Sequence, residues 1–417
     1  MRASKLVRVC QGVENTVVER VDLAGDGGQE VLTVRVRPVA RWRSRCSRCA
    51  RRCPGYDRGD GLRMWRGLDV GVVKVFLVAA APRVRCPTHG VVVAGVPWAR
   101  PASRFTRWFE DQTAWLAAHT DSSTVAGLAR ITWRSVVGIV GRVTAELAGR
   151  TDRLAGLRRI GIDEVAYRKG QRYILRVVDH DTGRQVWAGV GANADTLRSF
   201  FHALGPARAA ALTHVSADGA AWVHDVVRER APQARICLDP FHIVSWATKA
   251  LDQLRRRLQG QLRHAGRPEQ AASLKGSRWA LLKNPRELSP DQKATLAGIQ
   301  HDNRQLYRGY LLKEQLRYVF RAETTSFAKS LLGGWLAWAR RCRIPELTHL
   351  AGTIERLRPL IWNTIDAGGL SNAVLEATNN HLRLLTRRAY GFHSAQALIA
   401  MSELTLGGLC PPLPGRA

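Results

Sequence analysis

Two aspartates stand where short apolar runs stop. Asp163 follows Ile160-Gly161-Ile162 and precedes Glu164, and Asp218 follows Val215-Ser216-Ala217 and precedes Gly219. Each run reads as a buried strand, so each carboxylate would emerge at a sheet edge, where the sites of sheet proteins gather. Two carboxylates set close together repel and resist ionisation unless cations bridge them. Magnesium, or manganese in its place, supplies that bridge, being a hard ion held by one or two carboxylates plus phosphate oxygens. A third acid, Glu376, lies in the helical stretch Ser371 to Asn380 and would complete two metal sites from a helix packed on the sheet. Asn380, Arg383 and Arg387 follow it at steps of four, three and four and so share its face, giving an acid for metal and a basic flank for phosphate. Taken singly, an Asp after a strand is a turn or cap residue and a helical Glu is solvated surface. The ordered set of strand acid, strand acid and helix acid is what points to chemistry.

Asp239 ends a further apolar run, Ala234 to Leu238, and rivals Asp218 for the second position. Asp218 is preferred because its strand is the first to return after a crossover helix. Asp239 and His242 would then support the ligands from behind or contact DNA, and Glu164 should point to the opposite face of its strand.

Sulfur offers a second centre. Cys46-Ser47-Arg48-Cys49 and Cys86-Pro87-Thr88-His89 are pairs with the same two-residue gap, and four such ligands suit tetrahedral structural zinc. Cys53 could replace His89 or remain a free thiol.

These residues need elements to position them. Residues 1–100 are strand-like and Arg-rich, with strands expected at Val31–Val36 and Val70–Val78, and form a zinc-binding β-rich domain. Residues 101–150 form a three-helix, helix-turn-helix unit: a helix through Phe105, Trp108, Phe109, Thr113 and Leu116, a short one at Ser123–Arg130, and a third at Trp133–Leu147 capped by Thr132. Trp133, Arg134, Ser135 and Arg142 are expected toward DNA, since the second of two such helices enters the major groove. Residues 158–240 alternate strand and helix as the first part of a mixed-sheet catalytic core. Residues 241–369 are a helical insertion, 370–406 supply the core's closing helices, and 407–417 form a flexible tail. The fold class is thus multidomain α/β.

Composition narrows the partner. Lys and Arg number 64 against 34 Asp and Glu, a formal net charge of +30, and Arg supplies most of the excess. Such a charge repels itself unless a polyanion neutralises it, so double-stranded DNA is the expected partner. No apolar run reaches a membrane span, Val70 to Pro82 being cut by Lys74, and the first ten residues lack a signal-type apolar stretch. A cytoplasmic, reducing and nucleoid-associated location is expected, with thiols or metal ligands rather than disulfides.

Several segments together carry a family resemblance. Gly161-Ile162-Asp163-Glu164 with Tyr167-Arg168-Lys169-Gly170, Ser216-Ala217-Asp218, Leu238-Asp239-Pro240-Phe241-His242-Ile243-Val244, Ser371-Asn372 with Glu376, and Arg388-Ala389-Tyr390-Gly391-Phe392 occur in this order. The chain resembles insertion-sequence transposases of the ISL-three type, bacterial relatives of the wider DDE transposases. That resemblance implies an RNase H-like core, a catalytic triad at Asp163, Asp218 and Glu376 holding two magnesium ions, and an amino-terminal zinc unit whose last ligand is commonly Cys. It further implies binding to terminal inverted repeats, strand cleavage and strand transfer, with at least a homodimer on DNA. The alternatives are a non-catalytic DNA-binding regulator on an inactive core and a structure-selective nuclease that cuts without joining.

Overall fold

A computed structural model describes residues 3–26, 29–168, 170, 172–370, 373–389 and 391–416, with the side chains of 3, 26, 29 and 373–377 left out. Lys169, Ser371, Asn372, Tyr390 and the side chain of Glu376 therefore lie outside the described residues. The chain divides into two compact units, residues 1–152 with 384–417, and residues 153–383.

The first unit opens with α1 (Ala3–Gln11), β1 (Thr16–Asp26), β2 (Gln29–Pro38), β3 (Gly55–Asp57), β4 (Leu62–Arg66), β5 (Lys74–Ala80), β6 (Arg83–Cys86) and β7 (Gly90–Val93). These make a four-stranded sheet in the order β1-β2-β5-β4 and a three-stranded sheet β3-β6-β7. Inward residues alternate along β2 and β5, so Val34, Val36, Val75 and Leu77 bury with Trp65 and Trp98, whose rings meet edge to face at 5.5 Å. The expected strand at Val70–Val78 starts four residues later, because Val70 and Val73 exchange backbone hydrogen bonds across a tight turn.

Three helices follow: α2 (Arg107–His119), α3 (Ser122–Ala129) and α4 (Trp133–Arg150). Their ends are set by side-chain caps from Thr106, Asp121 and Thr132, and α3 stops at Arg130, which adopts a left-handed φ of 52°. A buried ionic knot ties the helices to the preceding loop. Arg100 donates to Glu110, Asp111 and Glu146, Arg107 reaches Glu146, and Arg142 reaches Glu110, which is fully buried.

The second unit begins with β8 (Arg159–Arg168), β9 (Arg172–Asp179), β10 (Gln185–Val190), α5 (Ala194–Leu204), α6 (Pro206–Ala209), β11 (His214–Ala217), α7 (Ala221–Arg230) and β12 (Arg235–Leu238). The five strands form one mixed sheet, β10-β9-β8-β11-β12. β10, β9 and β8 pair antiparallel, while β8, β11 and β12 run parallel, as helical crossovers require. One face is apolar: Ile160, Ile162, Leu175, Val177, Val215 and Ala217 pack against Leu197, Phe200, Val223 and Val227 of α5 and α7.

The helical block comprises α8 (Pro240–His264), α9 (Pro268–Gly276), α10 (Arg278–Leu282), α11 (Pro290–Asp302), α12 (Arg304–Val319), α13 (Thr325–Arg341), α14 (Pro345–Arg356) and α15 (Arg358–Asp366). It has its own core, centred on Leu251, Leu254, Leu312, Leu316, Trp335 and Leu347. Trp335 is core, its indole N–H donating to the Leu312 carbonyl at 2.8 Å, whereas Trp279 and Trp362 stay exposed. α15 closes the sheet edge: Asn363 donates to the Ile236 carbonyl at 2.9 Å and Thr364 to the Leu238 carbonyl at 2.8 Å, so β12 offers less open edge for foreign pairing.

α16 (Ala373–Arg388) and α17 (Ala395–Leu406) complete the chain. The division between units falls within α16, after Arg383. The expectation that residues 370–406 would all close the core is corrected here. α17 packs on α4 and α2, and residues 384–417 belong with the amino-terminal unit. The physical reason is burial: Ala395, Leu398, Met401 and Leu404 give α17 an apolar face, and the rest of the tail is anchored by the buried Leu409 rather than frayed.

Candidate active site and zinc centre

Strand register brings the acids together. Val215 pairs with Ile160 and Ser216 with Gly161 across β11 and β8, so continuing each chain two residues sets Asp218 level with Asp163. On the other side Ala217 pairs with Leu238, which sets Asp239 level with Asp218. Three aspartates therefore stand abreast, Asp163 within β8 and Asp218 and Asp239 directly after the ends of β11 and β12. Because Ile160 and Ile162 point into the α5–α7 core, alternation puts Asp163 on the opposite face.

That opposite face carries a polar network. Asn379 of α16 donates to Asp163 and accepts from Arg176 of β9 at 2.7 Å, and Arg176 also donates to Gln185 at 2.6 Å. Arg176 is the strand partner of Asp163 and is fully buried. Burial pushes its guanidinium down to about 10, with the Asp163 charge opposing. Asp163 also accepts the Glu164 backbone N–H at 2.8 Å. Burial nevertheless holds its carboxyl above the ordinary range, against the Asn379 and Glu164 hydrogen bonds and the His242 and Arg176 charges.

The other members are fixed by helix starts. Asp218 accepts the Ala220 N–H at 3.0 Å, and its carbonyl takes a hydrogen bond from His224. Asp239 is buried, caps α8 through the Phe241 N–H at 3.2 Å and pairs with His242 Nδ1 at 2.8 Å. This bond raises the His242 pKa, and after opposition from burial the charges of Asp239, Asp218 and Asp163 add to it. Glu164 is raised by burial and then by repulsion from Asp218 and Asp163, so its charge is felt in the cluster even though it follows Asp163 on the strand. Buried carboxyls grouped on one side of a sheet form the kind of pocket that a multivalent cation would suit.

The described residues bring together Asp163, Asp218, Asp239 and His242. Glu376 lies three residues before Asn379 in α16, and its side chain is outside the described set. Asn380, Arg383 and Arg387 are exposed on that helix, with Arg383 donating to Asn380 at 3.0 Å. Arg176 and Asn379 escaped the sequence reading. The signal was an arginine between Leu175 and Val177 in an otherwise buried strand, where an unpaired charge is too costly to stand without partners.

In the amino-terminal unit Cys46, Cys49, Cys86 and His89 put their ligand atoms within 4.8 Å of one another. β6 and β7 form the hairpin that presents Cys86 and His89, and Cys46 bridges to Ala94 beside it. Cys49 and Cys86 sulfurs lie 3.7 Å apart, and His89 Nδ1 lies 3.6 and 3.5 Å from Cys46 and Cys86. Zinc–sulfur bonds of about 2.3 Å give tetrahedral edges of roughly 3.8 Å, so the four residues fit zinc. At Cys86, burial favours the thiol, but hydrogen bonds from His89 and from the Thr88 and His89 backbone prevail and bring its pKa down to about 6. Cys53 is buried next to them and turns its thiol to the Arg51 carbonyl at 3.3 Å.

The expected DNA-facing residues of α4 divide. Arg134 is exposed and lies over the Trp133 ring at 5.4 Å, and Ser135 shares a hydrogen bond with Thr132. Trp133 is exposed at its rim, but its ring stacks on His393 at 4.7 Å. Arg142 bonds through its guanidinium to buried Glu110 at 2.6 Å, because a buried carboxylate must be paired, and so takes part in the ionic knot.

A family model described as transposase matches residues 160–402, from β8 through α17. The chain belongs to the ISL3 family of transposases. A second model, the zinc-finger of transposase IS204/IS1001/IS1096/IS1165, matches residues 42–89 and so ends on His89. Among ISL3 relatives, the transposases for insertion sequence element IS1557 from two Mycobacterium tuberculosis strains, CDC 1551 / Oshkosh and ATCC 25618 / H37Rv, are 50% identical over 440 residues, covering 100% of this chain and 98% of theirs. The transposase for IS1001 from Bordetella parapertussis is 27% identical over 397 residues, covering 94% of this ISL3 chain and 95% of its own. No helix among the described residues of this family member is long and apolar enough to cross a membrane.

Proposed function

We propose that this chain cuts and joins DNA at the ends of an insertion sequence. The helix-turn-helix unit, α2 to α4, reads the terminal inverted repeats. A core of RNase H-like type cuts them with magnesium or manganese held by Asp163, Asp218 and Glu376. The observation that carries this reading is the register setting Asp163 and Asp218 level on adjacent parallel strands, on the face where α16 delivers Asn379. The strand order, antiparallel on one side of β8 and parallel on the other, supports the same core type.

When bound, two divalent ions supply activation of the attacking oxygen and stabilisation of the leaving one. The carboxylates hold that charge in place, and exposed Asn380, Arg383 and Arg387 offer donors to phosphate. In the first step water attacks phosphorus and the bond to the 3' oxygen breaks; that oxygen takes up one proton to leave as the 3' hydroxyl, and the other proton passes from the new 5' phosphate to solvent. In the second step the freed 3' hydroxyl attacks a target phosphodiester, loses its proton to solvent and displaces a 3' oxygen there, which takes up a proton as it leaves. Two ends must be joined together, so a homodimer or larger assembly on DNA is part of the reading.

The test is incubation of the purified chain with magnesium and duplexes carrying the sequences that flank its gene. Nicks at the element's termini followed by strand-transfer products are expected. Binding without cleavage would make the chain a regulator, and cleavage without joining would make it a nuclease.

A further inference from the structure

Between Arg41 and Cys53 the chain carries six arginines, Arg41, Arg43, Arg45, Arg48, Arg51 and Arg52, and no acid. Elsewhere in the amino-terminal unit many arginines are neutralised: Arg66 and Arg130 on Asp69, Arg83 on Asp57, Arg100, Arg107 and Arg142 in the ionic knot. Among the described residues, none of the six forms an ion pair with a carboxylate. Arg45 has a structural task, since it donates to the Arg41 and Ala50 carbonyls and lies over the Trp42 ring at 5.6 Å. Arg48, Arg51 and Arg52 are exposed on the loop that carries Cys46 and Cys49.

The centre they surround cannot account for the surplus. Three thiolates around one divalent ion leave a net charge of about −1, so the arginines alone make the loop cationic. A cavity of about 480 Å³ opens beside it, with Arg45, Arg48 and Arg63 in its lining along with Trp42 and Trp65. The loop lacks a helix or ribbon of the length that reads base edges, but forked donors on a rigid metal-pinned turn suit phosphate oxygens.

We propose that the arginine loop of the zinc unit is a phosphate clamp for duplex DNA, which holds the backbone irrespective of sequence while α4 does the reading. The clamp rests on the DNA-binding function proposed above, and it assigns to Arg48, Arg51 and Arg52 contacts with the backbone alone.

The experiment measures binding of labelled duplexes, one bearing the element's end and one of scrambled sequence, from roughly 50 to 200 mM salt, where each phosphate contact adds about 0.9 to the logarithmic salt slope. With Arg48→Gln, Arg51→Gln and Arg52→Gln combined, the slope should fall by about 2 to 3 and affinity should drop by the same factor for both duplexes. Zinc content and melting should stay as in wild type. An unchanged slope, or a loss confined to the end duplex, would overturn the clamp. Should the triple variant misfold, phenylglyoxal modification of the wild type decides: DNA should protect these three arginines, and equal labelling with and without DNA refutes the proposal. Failure of the wider reading looks different, since the wild type would then bind no duplex or bind without cutting.

Discussion

Asp163→Asn is expected to lower the rate of metal-dependent end cleavage by about 10³-fold, roughly 4 kcal/mol of lost transition-state stabilisation, while end binding and melting stay close to wild type. The replacement keeps the volume and an oxygen for Asn379 to donate to, so the network through Arg176 and Gln185 can persist, at the loss of the acceptor for the Glu164 N–H. What disappears is the charge. Asn379, itself held by Arg176, fixes the Asp163 carboxylate from the α16 side, which leaves it little freedom to be replaced by a neighbour. Because burial raises the Asp163 pKa, protons compete with metal for it, and the metal concentration giving half-maximal wild-type cleavage should increase as pH falls. Cleavage by the Asn variant within tenfold of wild type, measured in a single-turnover assay, would remove Asp163 from the site.

Loss of zinc should be the largest stability effect in the amino-terminal unit. The apolar cluster around the centre is only Cys46, Cys53, Val84 and Cys86 with Val92 and Ala94 at its margin, far too small to hold the knuckles without metal. Structural zinc contributes on the order of 10 kcal/mol to comparable small sites. Cys46→Ser, or a strong chelator, is therefore expected to abolish cooperative folding of residues 42–99 and to alter the near-ultraviolet signal of the Trp65–Trp98 pair. Cys53→Ser should keep one equivalent of zinc, whereas His89→Ala should lose most of it. The reverse outcome would exchange the two residues as ligands.

Much of the fold could be read before the structure. Strands β8, β11 and β12 hold the apolar runs that precede Asp163, Asp218 and Asp239, and helices α2, α3 and α4 lie within a few residues of the periodic faces and caps that announce them, because local patterning and burial agree there. The caps at Thr132 and the cysteine knuckles were equally legible, since each depends on residue type at fixed spacing. Three things were not. The return of α17 to α2 and α4 is a long-range packing choice, invisible to a helix whose apolar face would fit either unit. Arg142 looked free because its partner, Glu110, is 32 residues away and only folding buries it. In the sequence Asn380 shares the face of Glu376, yet the residue that reaches Asp163 is the buried Asn379.

Strand cleavage of the proposed kind requires that these acids bind the ions that perform it. The most direct measurement is cleavage by an Asp218→Cys chain in magnesium and then in manganese, since a thiolate ligand disfavours the hard ion and accepts the softer one. Inactivity with magnesium and recovery with manganese is the predicted pattern, as expected only if residue 218 touches metal. Full activity with magnesium, or no recovery with either ion in a folded, end-binding protein, would contradict the role assigned to Asp218.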